Sequence, residues 1–210
     1  MDVFHSIVRF FQEGGIFMYP IALILAMSVA IAVERYIFLT KSGIENRKVW
    51  DELRPVLQKR DYDRARRVTA DSTVAIAEIL AYGLARAQVS PKRDEIETAM
   101  EEGLMEHLPR LEKRTHYLAS FANIATLLGL LGTIMGLIQS FTGVGVSDPA
   151  QRAAMLSAGI SEAMHATAFG LLVAIPLLLI HGYLQTKTME LVESLETASI
   201  KFLNLLSTND

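Results

Sequence analysis

Hydrophobic and polar positions along the chain alternate between two regimes. In residues 16–39, 118–141 and 158–183, apolar side chains run almost without interruption for about 20 residues, the length an α-helix needs to cross a bilayer. Elsewhere they recur at helical spacing. Trp50, Leu53 and Leu57 share one face, and Ala75, Ile76, Ile79, Leu80, Leu84 and Ala87 form a second stripe. Ile96, Met100, Leu104, Leu108 and Leu111 lead towards the second apolar run, with Ser90 and Pro91 predicted as N-cap and first helical residue and Asp94, Glu95 and Glu97 in the early turns. A helix unbroken from 91 to 141 would be on the order of 75 Å long, with a kink expected at Pro109. Beyond the third run, Leu191, Leu195, Ala198 and Phe202 line one side of a tail that carries Glu190, Glu193 and Glu196 elsewhere.

The pattern predicts an all-α integral membrane protein with three transmembrane helices, two of them extended into a helical cytoplasmic domain. Residues 1–15 form an N-terminal interfacial segment, 16–39 the first span and 40–117 a cytoplasmic helical segment. The second span is 118–141, 142–157 holds a short outer loop and the start of the third helix, 158–183 is the third span, and 184–210 is a C-terminal helix. No repeat, low-complexity tract or flexible linker interrupts this plan.

Charge orients it. The segment 40–117 holds 15 of the 20 Lys and Arg residues, which places it and the C-terminus in the cytoplasm and the N-terminus outside. A net charge of −3 argues against nucleic acid as a partner, and the lack of cysteine excludes disulfides and thiolate metal sites. The first run lacks a basic leader and is long enough to stay in the membrane, so no cleavable signal peptide is expected.

Within the third run one acid stands out. Glu162 lies near its outer edge, and a carboxylate at membrane depth normally faces a bundle interior or a water-filled cavity. Ser161, His165 and Thr167 are within about a turn and a half, while Gly159, Ala163, Ala166, Gly170 and Ala174 form a small-residue seam that Glu162 borders. In the second span Thr126, Thr133 and Ser140 are spaced by seven, making a hydroxyl stripe beside the glycine stripe Gly129, Gly132 and Gly136. The alternative is that each hydroxyl bonds back to its own helix. Counted from the loop, Thr133 and Glu162 fall in one layer of an antiparallel hairpin, and Thr167 extends that layer into a polar track. With two seams on three helices, a homo-oligomer is expected.

Other motifs weigh less. Glu162 and His165 form a Glu-x-x-His step, but the further glutamates of a di-iron bundle are missing, so no metal or other cofactor is expected. No phosphate-binding Gly-x-x-x-x-Gly-Lys loop occurs, so no ATPase is read here. Glu34 and Arg35 close the first span, with depth anchoring the expected use. Pro176 is expected to kink the third helix.

The stretches ERYIFL at 34–39, LLGLLGTIMGLIQSF at 127–141 and GISEAMHATAFGLLVAIP at 159–176 resemble the MotA/TolQ/ExbB proton-channel family, in its three-span ExbB and TolQ branch. The resemblance covers nearly the whole chain. It implies a bacterial inner-membrane stator, not an enzyme. A ring of five such subunits would enclose the membrane helices of an ExbD- or TolR-like single-span partner, whose aspartate carries the proton. The proton gradient is the energy source, a TonB- or TolA-like protein the further partner, and energised outer-membrane transport the outcome. Thr133, Glu162 and Thr167 match the family's polar pore residues. His165 departs from the family pattern, which has an apolar or small residue there, and the four spans of MotA-type subunits disfavour flagellar rotation. The alternatives are a TolQ-like role in envelope maintenance and division, or a non-conducting scaffold assembled through the small-residue seams.

Overall fold

The computed structural model describes residues 10, 11, 13–146 and 148–207. Its helices are α1 Met18–Gln58, α2 Tyr62–Ala70, α3 Ala75–Val89, α4 Arg93–Glu112, α5 Thr115–Val146 and α6 Pro149–Ser207, and the described residues contain no strand. Phe10, Phe11 and Glu13 are also helical, ahead of a turn through Gly14 and Gly15. Three helical stretches are long and apolar enough to cross a membrane, one in α1, one ending in α5 and one in α6. The chain divides into two compact units.

The first unit holds the described residues up to Val33 together with Arg114–Tyr183. Its interior is made of Met18, Ile21, Leu118, Ala122, Ala125, Ala163, Ala166, Val173 and Leu177. The preponderance of alanine there is a consequence of close helix contact, since a large side chain would hold the backbones apart. Leu127, Leu130, Leu172 and Leu179 stay more than half exposed. Such an apolar exterior suits lipid rather than water.

The second unit holds the described residues of Glu34–Lys113 and Leu184–Asp210. Here large side chains fill the core: Leu53, Leu57, Ile76, Ile79, Leu80, Ile96, Met100, Leu191, Leu195 and Phe202 are all buried, along the stripes that periodicity predicts. Trp50, Ala87, Leu104 and Leu108 are only half-buried. Gly83 gives Met100 and Phe202 room, since a Cβ there would lie 2.7 Å from Met100 Sδ and 3.0 Å from Phe202 Cε1. Asn46, buried in α1, accepts the Ile76 N–H at 2.8 Å and so caps the N-terminus of α3 from a distant helix.

Three local expectations change. The helix expected to start at Pro91 starts at Arg93, and Ser90 instead closes α3, its N–H bonded to the Arg86 carbonyl. Ser90 is extended, as the residue before a proline tends to be. The helix that would span 91 to 141 if unbroken is interrupted: α4 stops at Glu112, because Arg114 turns left-handed at φ 66° before α5 begins. The interruption falls four residues after Pro109, which itself stays inside α4. Arg35, expected as a depth anchor, is buried and donates to the Arg110 and Leu111 carbonyls. Its guanidinium thereby satisfies groups that the end of α4 leaves without helical partners.

Candidate functional site

The glycine stripe of α5 and the small-residue seam of α6 pack against each other. A Cβ on Gly132 would lie 2.6 Å from Ala166 Cβ, one on Gly136 3.1 Å from both Ala163 Cβ and the Gly159 carbonyl, and one on Gly170 2.7 Å from the Ala125 carbonyl. One on Gly129 would lie 3.2 Å from Thr167 Cα and 3.3 Å from Gly170 Cα. Residue numbers rise on one helix as they fall on the other, so the pair is antiparallel. The two seams face each other within one chain, so burying them does not by itself require a second copy.

Contact register fixes levels. With Gly132 opposite Ala166, Thr133 and Thr167 differ by about 3 Å along the axis, and Thr133 and Glu162 by roughly 5 Å. All three therefore sit within about a turn and a half, the largest separation being the roughly 7.5 Å between Thr167 and Glu162. Direction separates them. Thr133 and Thr167 each stand one residue past the Gly132–Ala166 contact, about 100° round in the same sequence sense, which on antiparallel helices is the same side. Glu162 lies four residues before Ala166, about 40° the other way, and His165 about 100° that way. The hairpin thus has a hydroxyl flank and an acid–imidazole flank, where the sequence suggests one continuous track.

On the hydroxyl flank, the Thr167 hydroxyl donates across the seam to the Gly129 carbonyl at 2.9 Å. Thr133 donates to its own Leu130 carbonyl at 2.5 Å, Thr126 to Ala122 at 3.1 Å and Ser140 to Gly136 at 2.7 Å. The back-bonding alternative therefore describes all three hydroxyls of the stripe in this structure. Nor do they form one uniform stripe: Thr126 is exposed, Thr133 half-buried, and Ser140 buried directly against Gly159 in the close-contact seam.

On the other flank the chain's own N-terminal segment covers α6, a contact with no counterpart in the sequence-based expectations. Gly15 adopts φ +72°, and a Cβ there would overlap the Glu162 carboxylate. Only glycine meets both the left-handed backbone and the close approach. Glu162 is half-buried beneath it. His165, also half-buried, has Nδ1 at 2.6 Å from the Ser161 carbonyl, which makes that nitrogen the donor, and Nε2 at 3.8 Å from Glu13 Oε2. Ser161 is exposed, with its hydroxyl 3.4 Å from the same ring nitrogen. Phe10 meets the His165 ring edge-on at 5.1 Å, Phe10 and Phe11 both meet Phe169, and Phe17 approaches Gly132. The sequence signal that could have exposed this arrangement is Gly14-Gly15 between Phe10-Phe11 and Phe17, a turn bracketed by aromatics. Pro176 is exposed, and α6 continues through it without interruption. Among the described residues no three His, Asp or Glu groups gather as a metal site.

Residues 71–197, more than half of the chain and the whole α5–α6 seam, match the family model described as the MotA/TolQ/ExbB proton channel family. The chain belongs to that family. It is similar to two ExbB-like biopolymer transport proteins of Synechocystis sp. (strain ATCC 27184 / PCC 6803 / Kazusa). One is 28% identical over 80% of each chain, the other 32% identical over 81% of this chain and 67% of the relative. A Tol-Pal system protein TolQ of Haemophilus influenzae is 30% identical over 61% of this chain and 49% of its own. With three membrane-length apolar helices, this family member is a multi-pass membrane protein, and its family is a proton-channel family rather than an enzyme class. The N-terminal segment that contacts Glu162 and His165 lies outside the matched region.

Proposed function

We propose that this family member is an ExbB-like proton-channel subunit of a bacterial inner membrane, with the N-terminus periplasmic and the C-terminus cytoplasmic. It assembles as a homo-oligomeric ring, most simply a pentamer, around an ExbD/TolR-like single-span protein, and passes proton-motive force through a TonB-like protein to outer-membrane transport. The observation that carries this reading is that Thr133 and Thr167 share one flank of a hairpin whose exterior is otherwise largely apolar, with the Thr167 hydroxyl bonded across the seam. Hydroxyls both donate and accept, so a carboxyl group on a partner helix facing this flank would find polar partners at membrane depth. Glu162, on the opposite flank and nearer the outer water, serves as a proton-exchange group. The ExbB-named relatives that cover four-fifths of the chain favour the ExbB-like role over a TolQ-like one.

The test is Thr133→Val with Thr167→Val in the complex with its single-span partner, reconstituted in liposomes with an internal pH dye. Valine keeps the volume and removes the hydroxyl, so the complex should be recovered intact, with native mass spectrometry showing the same ring. Proton flux should fall at least tenfold, about 1.4 kcal/mol on the barrier. Unchanged flux from an intact ring would sink the reading.

A further inference from the structure

The contacts of the N-terminal segment converge on one side of α6. Glu13 faces His165, Gly15 lies on Glu162, and Phe10 and Phe11 pack on His165 and Phe169. We propose that Glu13 and His165 are positioning residues for Glu162: an ion-pair latch that holds the Gly15 turn over the carboxylate, so that the charge on His165 sets how far position 162 is exposed. The inference rests on the reading of Glu162 as a proton-exchange group.

The geometry favours a latch over simple packing. Because Nδ1 is engaged by the Ser161 carbonyl, the ring is held with Nε2 towards Glu13, the orientation in which protonation creates an imidazolium beside a carboxylate. At 3.8 Å, with the two side chains 26% and 42% exposed, the pair is neither sealed from water nor fully screened by it. Competing charges are few among the described residues of this unit. Glu162 is on the same helix one turn away, and Asp148 and Arg152 stand more than three turns ahead of His165. Residues 18–33 of α1 bring only Tyr19, and α5 brings only His116 and Tyr117, near its other end. Imidazole is the side chain that changes charge between about pH 5 and 8, so acid closes the latch and alkali loosens it.

The chain has no cysteine, so Glu162→Cys reports the exposure of that one position. In the detergent-solubilised full chain, its modification by a membrane-impermeant maleimide is followed at pH 6 and pH 8, alone and combined with His165→Asn or with Glu13→Gln. Dividing each rate by that variant's own thiolate fraction, read from its thiolate absorbance at each pH, corrects for the thiol's titration, which removal of a neighbouring charge also shifts. Both second substitutions should speed labelling about two- to fivefold at pH 6, the range open to a partly exposed ion pair, and have little effect at pH 8. Equal acceleration at both pH values would reduce the contact to packing and overturn the proposal, as would no acceleration at either. Labelling does not require proton flux, so this outcome is read separately from the role of Glu162 in conduction.

Discussion

The two units of the chain are held together by opposite means. In the unit containing α5 and most of the apolar part of α6, cohesion comes from the absence of side chains: Gly129, Gly132, Gly136 and Gly170 bring backbones to within van der Waals contact. In the other unit it comes from large side chains, with Leu53, Ile79, Leu80, Met100 and Phe202 almost wholly buried. The difference follows from solvent. Lipid is as apolar as leucine, so burying leucine between helices gains little there and close packing must supply the attraction. In water, removing apolar area gains roughly 25 cal/mol per Å², and large residues supply the most area. A polar group in the membrane unit therefore stands out against its surroundings, whereas in the other unit charges are routine parts of helix ends.

The contrast breaks most completely if the seam is forced open. Gly170→Leu places its new side chain against the Ala125 carbonyl, which cannot move aside as a side-chain tip would, and overpacking of this kind costs about 1–3 kcal/mol or more. Loss of both ring assembly and proton flux is expected, together with a lower thermal midpoint in detergent. Phe202→Ala, the counterpart in the other unit, should cost about 3–5 kcal/mol through the cavity it leaves. The seam stays untouched in that variant, so light-scattering and melting curves should separate the two lesions. Equal loss of assembly from both would show that the units do not differ in the way described.

Glu162→Gln sharpens the contrast at a single group. The amide keeps the size and removes the charge, so the melting midpoint should shift by no more than about 0.5 kcal/mol equivalent. Flux in the reconstituted complex should nevertheless fall at least tenfold. A large loss of stability with normal flux would make this acid a structural residue.

The smallest effect is expected at Glu95. Hydrogen bonds from Lys92, Arg86 and Ser90 hold its carboxyl below the usual range, with Arg86 at 2.5 Å and Lys92 at 3.3 Å. A depressed folded-state value means that its contribution is present above the unfolded carboxylate value, near pH 4.3, and is lost as pH falls below it. Acid melting curves of Glu95→Gln should therefore be slightly flatter than wild type below about pH 4.5, with the two coinciding in slope at neutral pH. A steeper acid fall in the variant would reverse the sign of this reading.

The sequence by itself determined the three spans, the all-helical class, the seam residues and the buried stripes of the second unit. Each of these depends on periodicity or run length, which a helix converts directly into faces and distances. It also supplied the hairpin level that Thr133, Glu162 and Thr167 share, because antiparallel neighbours joined by a short connection are in register by counting. Tertiary structure decided the rest. Whether two small-residue seams meet each other or another chain depends on how helices rotate about their axes, and here Gly132 faces Ala166 within one chain. That rotation also sends Thr167 to the Gly129 carbonyl and Glu162 to Gly15, opposite flanks that spacing alone leaves merged. The end of α4 and the burial of Arg35 belong to the same class, because a guanidinium reaching carbonyls 75 and 76 positions away is a long-range contact that no local pattern encodes.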